Sequence, residues 1–374
     1  MRSVFCGIVV AFSLFFFLPY QGLAKLVVKI ASVAPANSPW SNILEQIQSQ
    51  VEKQSNGEIQ VKIYMGGQLG GELEIIQGLR RGRIDGAGLT VASLASVLPE
   101  LDVLELPYLF DNSEQADFVL DEFLFPKLKE LFYSKGLVFV SWSENGWRSI
   151  GLKSKLVKNP SDLVGVKVRS QESKVHLAFW KALKANPVPI STPDVLPSLQ
   201  TGLVQGFDNT PVFSVYAKWY SEIKFFTLTE HIYQPGVIVY SKVMWDKLSL
   251  KQKNILMEKE NALAAKARQK IRSLVQQQLN TLKDFHIEVY ALTPAEKESF
   301  KKALKDVPDQ VIKNIAGGFA AGAFTAGERT GSAGDKLGSK SDKLKRKSDI
   351  VQSNARQMYM LIQDGKRAFN SKQK

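Results

Sequence analysis

Residues 26–64 read LVVKIASVAPANSPWSNILEQIQSQVEKQSNGEIQVKIY, and this stretch decides the fold. It opens with an alternating, β-type run and then places Ser38 directly before Pro39. That pair is typical of a helix start, because serine caps the helix and proline suits its first position. Apolar residues then recur at helical spacing at Ile43, Ile47 and Val51. A second β-type run ends the stretch, which therefore predicts a strand, a helix and a second strand.

The same alternation continues downstream. The pattern predicts a helix over about 71–81 and a strand over 84–89, which completes a β-α-β-α-β rhythm. The rhythm begins again after Trp147. Alternating strands and helices favour a mostly parallel sheet with covering helices. We therefore expect an α/β protein with two lobes and not one large sheet.

Residues 250–285 form one long helical pattern. Its apolar side carries Ile255, Leu263, Ile271, Leu274 and Leu282. At about 1.5 Å per residue, such a helix spans on the order of 50 Å. Because this length exceeds one small lobe, we interpret the helix as a brace that crosses both lobes.

Length and composition agree with two packed lobes. The chain has 374 residues, of which 44% are hydrophobic and 23% charged, as is ordinary for a globular protein. The net charge is +13, but residues 329–374 alone hold 12 basic and 4 acidic residues. The excess charge therefore belongs mainly to a basic tail. Nucleic-acid binding by the main body is not expected.

The N-terminus predicts a secretory signal peptide over residues 1–24. Arg2 precedes an apolar run, Pro19 ends that run, and small residues lead to a cleavage site after Ala24. The run is shorter than the roughly 20 residues that span a bilayer, and an uncleaved anchor is the alternative. The single cysteine, Cys6, lies inside this segment. The exported chain would then hold no disulfide, thiolate metal site or cysteine nucleophile.

A second informative stretch is NPSDLVGVKVR, residues 159–169. A turn leads there into a β-branched strand that ends on Arg169. A planar guanidinium fixed at a strand end suits bidentate binding of a carboxylate. Four further motifs accompany it, namely QLG at 68–70, PYLF at 107–110, NGWR at 145–148 and LQTGLVQGFDN at 199–209.

In this order, the five motifs resemble the solute-binding proteins of tripartite ATP-independent periplasmic (TRAP) transporters, the DctP-type family, over residues 29–311. The resemblance implies a two-lobed periplasmic binding protein of the Venus-flytrap type. It implies lobe I at 25–146 plus 234–272 and lobe II at 147–233 plus 273–318. It also implies a small organic acid as ligand, integral-membrane TRAP permease subunits as partners, and an ion gradient as the driving force. No cofactor, metal or catalytic residue is implied.

The resemblance also carries site residues onto this chain. Arg169 matches the family's arginine at the end of the Gly-x-Lys-x-Arg strand, and Arg148 matches its second arginine. Asn209 matches the amide that follows the Asp-Gly-x-Glu pattern. The chain departs from that pattern, because Gln205 replaces the first acid and Asp208 replaces the glutamate. The first change removes a charge, which puts in doubt how the Asn209 loop is held.

Further ligand contacts are suggested by residue type. The hydroxyl candidates are Thr90, Ser93 and Thr192, and the aromatic wall candidates are Trp40, Trp147 and Phe207, each with core packing as the alternative. Two arginines with few other charges suggest a small monoanion or dianion with an apolar or modestly hydroxylated body. Ligand binding would close the two lobes, and the permease would recognise the closed shape.

Three other functions remain as alternatives. Catalysis has little support, because His176, His231 and His286 show neither triad nor metal-ligand spacing. The glycine-rich run GGQLGG at 66–71 lacks the Lys-Ser/Thr that phosphate binding needs. The main alternative is a periplasmic ligand-binding partner of a signalling receptor with the same fold. An adhesive or scaffold role through the basic tail is the third.

The C-terminus departs from the family pattern. Residues 319–348 are rich in small and basic residues and predict a flexible basic linker. Residues 349–374 regain helical spacing, with an apolar stripe formed by Val351, Ala355, Met358 and Ile362. This stripe predicts a helix that docks on lobe II, on a partner or on an anionic lipid surface.

Overall fold

The structure, a computed structural model, describes residues 25–257, 260–315 and 334–373. For residues 260–262 and 334–344 it describes the backbone alone. The predicted signal peptide and its cleavage site after Ala24 lie outside these ranges. Within them, no helix combines the length and the apolar character that crossing a bilayer requires.

The opening stretch folds as its pattern predicts. Helix α1, Pro39–Gln54, is capped by Ser38, whose Oγ accepts a hydrogen bond from the backbone N–H of Ser41 at 3.3 Å. The apolar stripe of α1 is buried in one core cluster with strands β1, Leu26–Ala31, and β2, Ile59–Tyr64. The two strands pair in parallel, so the helix is the crossover of a β-α-β unit.

The remaining elements follow in chain order. The other strands are β3 Gly86–Thr90, β4 Leu137–Leu152, β5 Lys167–Ser170, β6 Asn186–Pro189, β7 Gly206–Asn209, β8 Phe225–Ser241 and β9 Glu288–Ala291. The other helices are α2 Glu72–Arg80, α3 Val91–Leu94, α4 Ser113–Phe118, α5 Phe125–Ser134, α6 Lys174–Ala182, α7 Val195–Gln200, α8 Pro211–Tyr216, α9 Lys242–Trp245, α10 Leu250–Met257, α11 Glu260–Asp284, α12 Pro294–Ala303, α13 Val307–Asn314 and α14 Gly334–Lys372. The chain also forms a 3-10 helix, Pro99–Glu105, and a π-helix, Val119–Leu124.

One seven-stranded sheet runs through the molecule in the order β2-β1-β3-β8-β4-β7, with β9 paired to β8. The prediction of two lobes without a shared sheet is therefore wrong, because β4 and β8 are continuous strands of 16 and 17 residues. They pair with each other in antiparallel orientation. The sequence pattern breaks near Glu144 and Asn145, yet the strand continues there because both polar side chains find buried partners.

Parallel pairing is found only in parts of the sheet. Strand β1 pairs in parallel with β2 and β3, as the opening rhythm predicts, and β5 pairs in parallel with β6 as a separate two-stranded sheet. Strand β8 is antiparallel to β3 and β4, and β4 is antiparallel to β7. The predicted mostly parallel sheet is therefore correct for the N-terminal unit and wrong for the centre.

The long helical pattern folds as two helices, α10 and α11, with residues 258 and 259 outside the described ranges. Helix α11 has 25 residues, or roughly 37 Å, and it contacts α1, α8, β4 and β9. It therefore braces elements at both ends of the sheet, although it is shorter than the predicted helix. Its Arg272 lies 2.5 Å from Glu144 and 2.7 Å from Asp117, which ties the brace to β4 and α4.

The C-terminal helix α14 begins at Gly334, so the predicted flexible linker is wrong for residues 334–348, while 319–333 lie outside the described ranges. Lysine and leucine in this stretch favour helix, and a docked helix propagates easily from its anchored end. The four residues of the predicted apolar stripe are buried. They pack mainly against the 3-10 helix and the π-helix of residues 99–124, so the stripe docks on this chain and not chiefly on the expected lobe II.

Candidate ligand-binding site

A cavity lies where the middles of β4 and β8 meet the ends of β3, β5 and β7. It encloses about 700 Å³, including open solvent at its mouth, and is within the usual size range of small-molecule sites. The candidate residues that line it are Arg169, Arg148, Asn209, Thr90, Thr192 and Trp40. The fold thus brings together residues that lie far apart in the sequence.

Arg169 ends strand β5 and is 2% exposed. Its Nε donates to the carbonyl oxygen of Ile190 at 2.9 Å, and its guanidinium lies 5.5 Å from the ring centre of Trp219. Burial lowers the pKa of Arg169 to about 10, with the charge of Arg148 adding to the shift, so the group is still charged at neutral pH. Among the described residues, neither terminal nitrogen has a hydrogen-bond partner or an ion-pair partner. This cation is held in place and free to bind an anion.

Arg148 is in a different situation. Its Nε lies 2.5 Å from Asp208 Oδ2, its Nη2 donates to the backbone oxygen of Asp208, and its Nη1 donates to Gln234 Oε1 at 2.7 Å. Both charged side chains are almost completely buried. Arg148 lines the cavity as predicted, but its charge is neutralised by Asp208. Its position next to Asn209 makes it a support of the site.

The amide of Asn209 is oriented by its neighbours. Its Oδ1 accepts from Asn145 Nδ2 at 2.9 Å and from the backbone N–H of Thr210 at 2.8 Å. The NH₂ group is therefore left as a donor, and no described residue accepts from it. Asn145 donates in addition to Gln234 Oε1 at 2.7 Å, which fixes its own Oδ1 as an acceptor. That Oδ1 is buried and has no partner among the described residues.

Three side chains at the edge of the cavity are bonded to one another. Thr90 Oγ1 donates to Glu72 Oε2 at 2.8 Å and accepts from Gln171 Nε2 at 2.8 Å. Gln171 follows β5, whereas Glu72 and Thr90 belong to the first β-α-β-α-β unit, so these bonds join the two sides of the cavity. Burial raises the pKa of Glu72 above its usual range. The Thr90 hydroxyl is thus used within the protein.

A buried network stands behind Arg148. Burial would raise the pKa of Asp208, but the charge of Arg148 and the contacts with His176 and His231 hold it well below its usual range. His231 Nε2 lies 3.4 Å from Asp208 Oδ2, and His176 Nε2 lies 2.6 Å from Glu105 Oε2. Burial lowers the pKa of His231, whereas the carboxylates beside His176 outweigh burial and raise its pKa. Within the described ranges, no group of three His, Cys, Asp or Glu residues has the geometry of a metal site.

Three candidates do not line this cavity, although Ser93 lines a small pocket that also contains Arg169. Trp147 precedes Arg148 on β4, so strand alternation directs it away, and its Nε1 donates to Ser113 Oγ at 3.1 Å. Phe207 is fully buried in a core cluster, with its ring edge-on to that of Trp219. Ser93 donates its hydroxyl to the backbone oxygen of Thr90 inside α3. Core packing and helix capping explain these three positions.

The sequence reasoning missed Glu72, Gln171, Asn145 and Gln234, all of which line the cavity. Gln171 lies two residues after Arg169, and the period of two in a strand could have placed it on the same side. Asn145 belongs to the quoted NGWR motif. Glu72 and Gln234 carry no local signal, because their roles depend on partners that are remote in the sequence.

A solute enclosed in this cavity meets the free guanidinium of Arg169, the amide donor of Asn209 and the unpartnered amide oxygen of Asn145. Such an arrangement between two α/β halves, braced by a long helix, defines a binding protein for small anionic solutes. Residues 30–314 match the profile of the bacterial extracellular solute-binding protein family 7, DctP. The chain belongs to this family.

Known relatives support this assignment. The chain is similar to the 2,3-diketo-L-gulonate-binding periplasmic protein YiaO of Escherichia coli, with 29% identity over 72% of this chain and 81% of the relative. It is 26% identical to the C4-dicarboxylate-binding periplasmic protein DctP of Rhodobacter capsulatus, over 84% of this chain and 95% of the relative. Among solved structures, the sugar acid binding protein DctPAm of Advenella mimigardefordensis in complex with galactonate superposes with a TM-score of 0.76. It is 25% identical and covers 90% of this chain and 99% of its own.

These likenesses confirm the predicted two-lobed α/β fold and the membership in the TRAP solute-binding family. They fit the transport function and not the signalling alternative. The relatives from Escherichia coli and Rhodobacter capsulatus are periplasmic binding proteins.

Proposed function

We propose that this protein captures a small organic carboxylate in the cavity and delivers it to a TRAP-type membrane permease. The observation that carries the proposal is the free guanidinium of Arg169 in a cavity that Asn209 also lines. A carboxylate that enters loses its hydration and needs fixed donors in exchange. The fork of Arg169 and the amide of Asn209 supply them. Charge-assisted bonds of this type contribute about 1.5–3 kcal/mol each.

Closure of two lobes is the proposed mechanism. We assign 25–146 plus 234–272 to lobe I and 147–233 plus 273–318 to lobe II. The β4–β8 register shifts between Glu144 and Gly146, and Gly146 has a φ of +107°, a conformation that favours glycine. This irregularity lies at the proposed crossing between the lobes and supports a hinge there. A ligand that bonds to both sides would shift the hinge equilibrium towards the closed form.

Contacts between residues of the two proposed lobes support a closed form. Besides the bonds of Gln171, the Ser173 hydroxyl donates to Asp102 Oδ1 at 3.2 Å. In addition, a Cβ at Gly67 would lie 2.5 Å from the ring of Pro193, so the two segments meet closely there.

The proposal includes the location of the protein and its partners. The chain is exported after cleavage behind Ala24, works in the periplasm, and binds without a cofactor or a catalytic step. The apolar stripe of α14 is occupied by docking on this chain, so the basic outer side of that helix is what an anionic surface or a partner would meet. Relatives named as periplasmic binding proteins support this location.

The test is calorimetry with the acid that native mass spectrometry finds bound to the purified protein. Arg169→Ala is expected to weaken its binding by about 3–5 kcal/mol, the range for removing one partner of a buried charge pair. Arg81→Ala, at an exposed position, is the matched control and should bind like the wild type. Unchanged affinity in Arg169→Ala, or a protein that binds no organic acid, would overturn the proposal.

A further inference from the structure

The charges that line the cavity leave a single cation without a partner. Arg148 is neutralised by Asp208, and the cavity-lining Glu144 is paired with Arg272 at 2.5 Å. The lining contains no lysine and no histidine. Arg169 is therefore the one cation lining this cavity that no described acid pairs. The remaining acid of the lining, Glu72, is held by hydrogen bonds from Thr90 and has no ion-pair partner among the described residues. A ligand with one negative charge therefore matches Arg169, whereas a second carboxylate would be buried without a counter-charge.

Part of the cavity wall is apolar. It is formed by Trp40, Ile43, Leu44, Leu89, Val237 and Ile238. These residues come from α1, β3 and β8, whereas Arg169 ends β5 of the separate two-stranded sheet. A ligand whose carboxylate binds Arg169 therefore packs the remainder of its body against apolar side chains.

Several of the polar groups near this apolar wall take part in hydrogen bonds within the protein. Trp40 Nε1 donates to the backbone oxygen of Glu144 at 2.8 Å, and the Thr90 hydroxyl is shared between Glu72 and Gln171. Ser32 Oγ accepts from the backbone N–H of Ala34. A polyhydroxylated body would present several hydroxyls to the apolar wall, where they would lose water without finding new partners, and each unpaired hydroxyl would weaken binding by roughly tenfold.

We propose that the ligand of this protein is a monocarboxylate with a mainly apolar body, in contrast to the sugar acids and dicarboxylates named for its relatives. The proposal rests on the proposed function, because it specifies which carboxylate the same site takes. The single free cation sets the charge of the ligand, and the carbon-lined wall sets the character of its body.

The experiment is calorimetry on ligand-free, refolded full-length protein with three anions of similar size. Isocaproate carries one charge and an apolar body, succinate carries two charges, and erythronate carries one charge and several hydroxyls. Isocaproate is expected to bind at least about tenfold more tightly than the other two. Tighter binding of succinate or erythronate would overturn this inference and leave the proposed function standing.

If none of the three binds, the acid found by native mass spectrometry decides. A dicarboxylate or a polyhydroxylated acid would overturn the inference alone, and an apolar monocarboxylate would support it. The absence of any organic acid would instead remove the proposed function. The two failures are therefore distinguishable.

A paired substitution tests the wall directly. Val33 lines the cavity, and Val33→Thr adds a hydroxyl at nearly constant volume. It is expected to reduce the preference for isocaproate over erythronate by roughly fivefold, since a hydroxyl makes the wall more polar. Val61→Thr is the control, because Val61 is buried on β2 and does not line the cavity. An unchanged preference in Val33→Thr would count against an apolar subsite.

Discussion

The replacement Asp208→Asn removes the negative charge that neutralises Arg148 beside the cavity. The two side chains are 0% and 1% exposed, and Arg148 Nε lies 2.5 Å from Asp208 Oδ2. Removing one partner of a buried ion pair is strongly destabilising, because the other charge stays desolvated. The amide keeps the shape and one acceptor oxygen, so we expect a loss near the lower end of the range, about 3 kcal/mol.

Urea unfolding at neutral pH, followed by circular dichroism, measures this loss. Glu58→Gln is the matched control, because Glu58 and Lys251 form a pair at 3.1 Å in which both side chains are exposed. Exposed pairs contribute little, so the control should unfold like the wild type. A loss below about 1 kcal/mol in Asp208→Asn would refute the reasoning, since the buried pair would then not need its negative partner.

The pH dependence gives a second readout of the same pair. The pKa of Asp208 is lower in the folded protein than its unfolded value of 3.8, so its stabilisation is present above about pH 4 and is lost as the pH falls. Wild type and Asp208→Asn should therefore converge in stability under acid conditions. The variant would also present two unpaired guanidinium groups, so its affinity for succinate relative to isocaproate should rise.

The remaining predictions concern the C-terminal helix, the buried carboxyl group of Asp102 and a hydroxyl group on the ligand. Ile362→Ala should lower the free energy of unfolding by about 2–4 kcal/mol because the residue is fully buried, whereas Met360→Ala, which is 65% exposed, should not. Burial raises the pKa of Asp102 to about 7, so wild-type stability should fall as the pH rises from about 4 to 7. Asp102→Asn should remove that slope in urea unfolding at a series of pH values, and an unchanged slope would exclude Asp102 as its source. Because Asn145 Oδ1 is buried without a partner, 2-hydroxyisocaproate should bind about fivefold more tightly than isocaproate in calorimetry, and equal affinities would contradict that role.

The elements that could be predicted are those whose signal is local. The cap at Ser38 and the stripe of α1 are contained in a few consecutive residues, and the structure has both. The apolar stripe of α14 is predictable for the same reason. The predicted start of this helix, residue 349, is too late, because the polar helix formers before it resemble a linker in composition. The sequence predicts only parts of β4 and β8 as strands, because buried polar residues interrupt their apolar pattern and hide their continuity.

Among the site residues, too, only those with a local sequence signal could be predicted. Arg169 could be identified from its position at a strand end, and its burial in the cavity agrees with that position. Trp147, Phe207 and Ser93 could not be judged, because an aromatic ring or a hydroxyl has the same sequence signature in a core as in a cavity. Glu72 and Gln234 were missed because nothing adjacent to them in the sequence reveals their partners.

The sequence alone determined the opening β-α-β unit and the helical stripes, because each depends on periodicity or on neighbouring residues. It also pointed to the arginine at the end of β5, through its strand-end position and the resemblance to a known family. The tertiary structure alone decided which arginine is free. Arg148 and Asp208 are 60 positions apart, and only the pairing of β4 with β7 brings their charges together. A charge acts on a ligand only when no other group neutralises it, and that depends on distances that the fold creates.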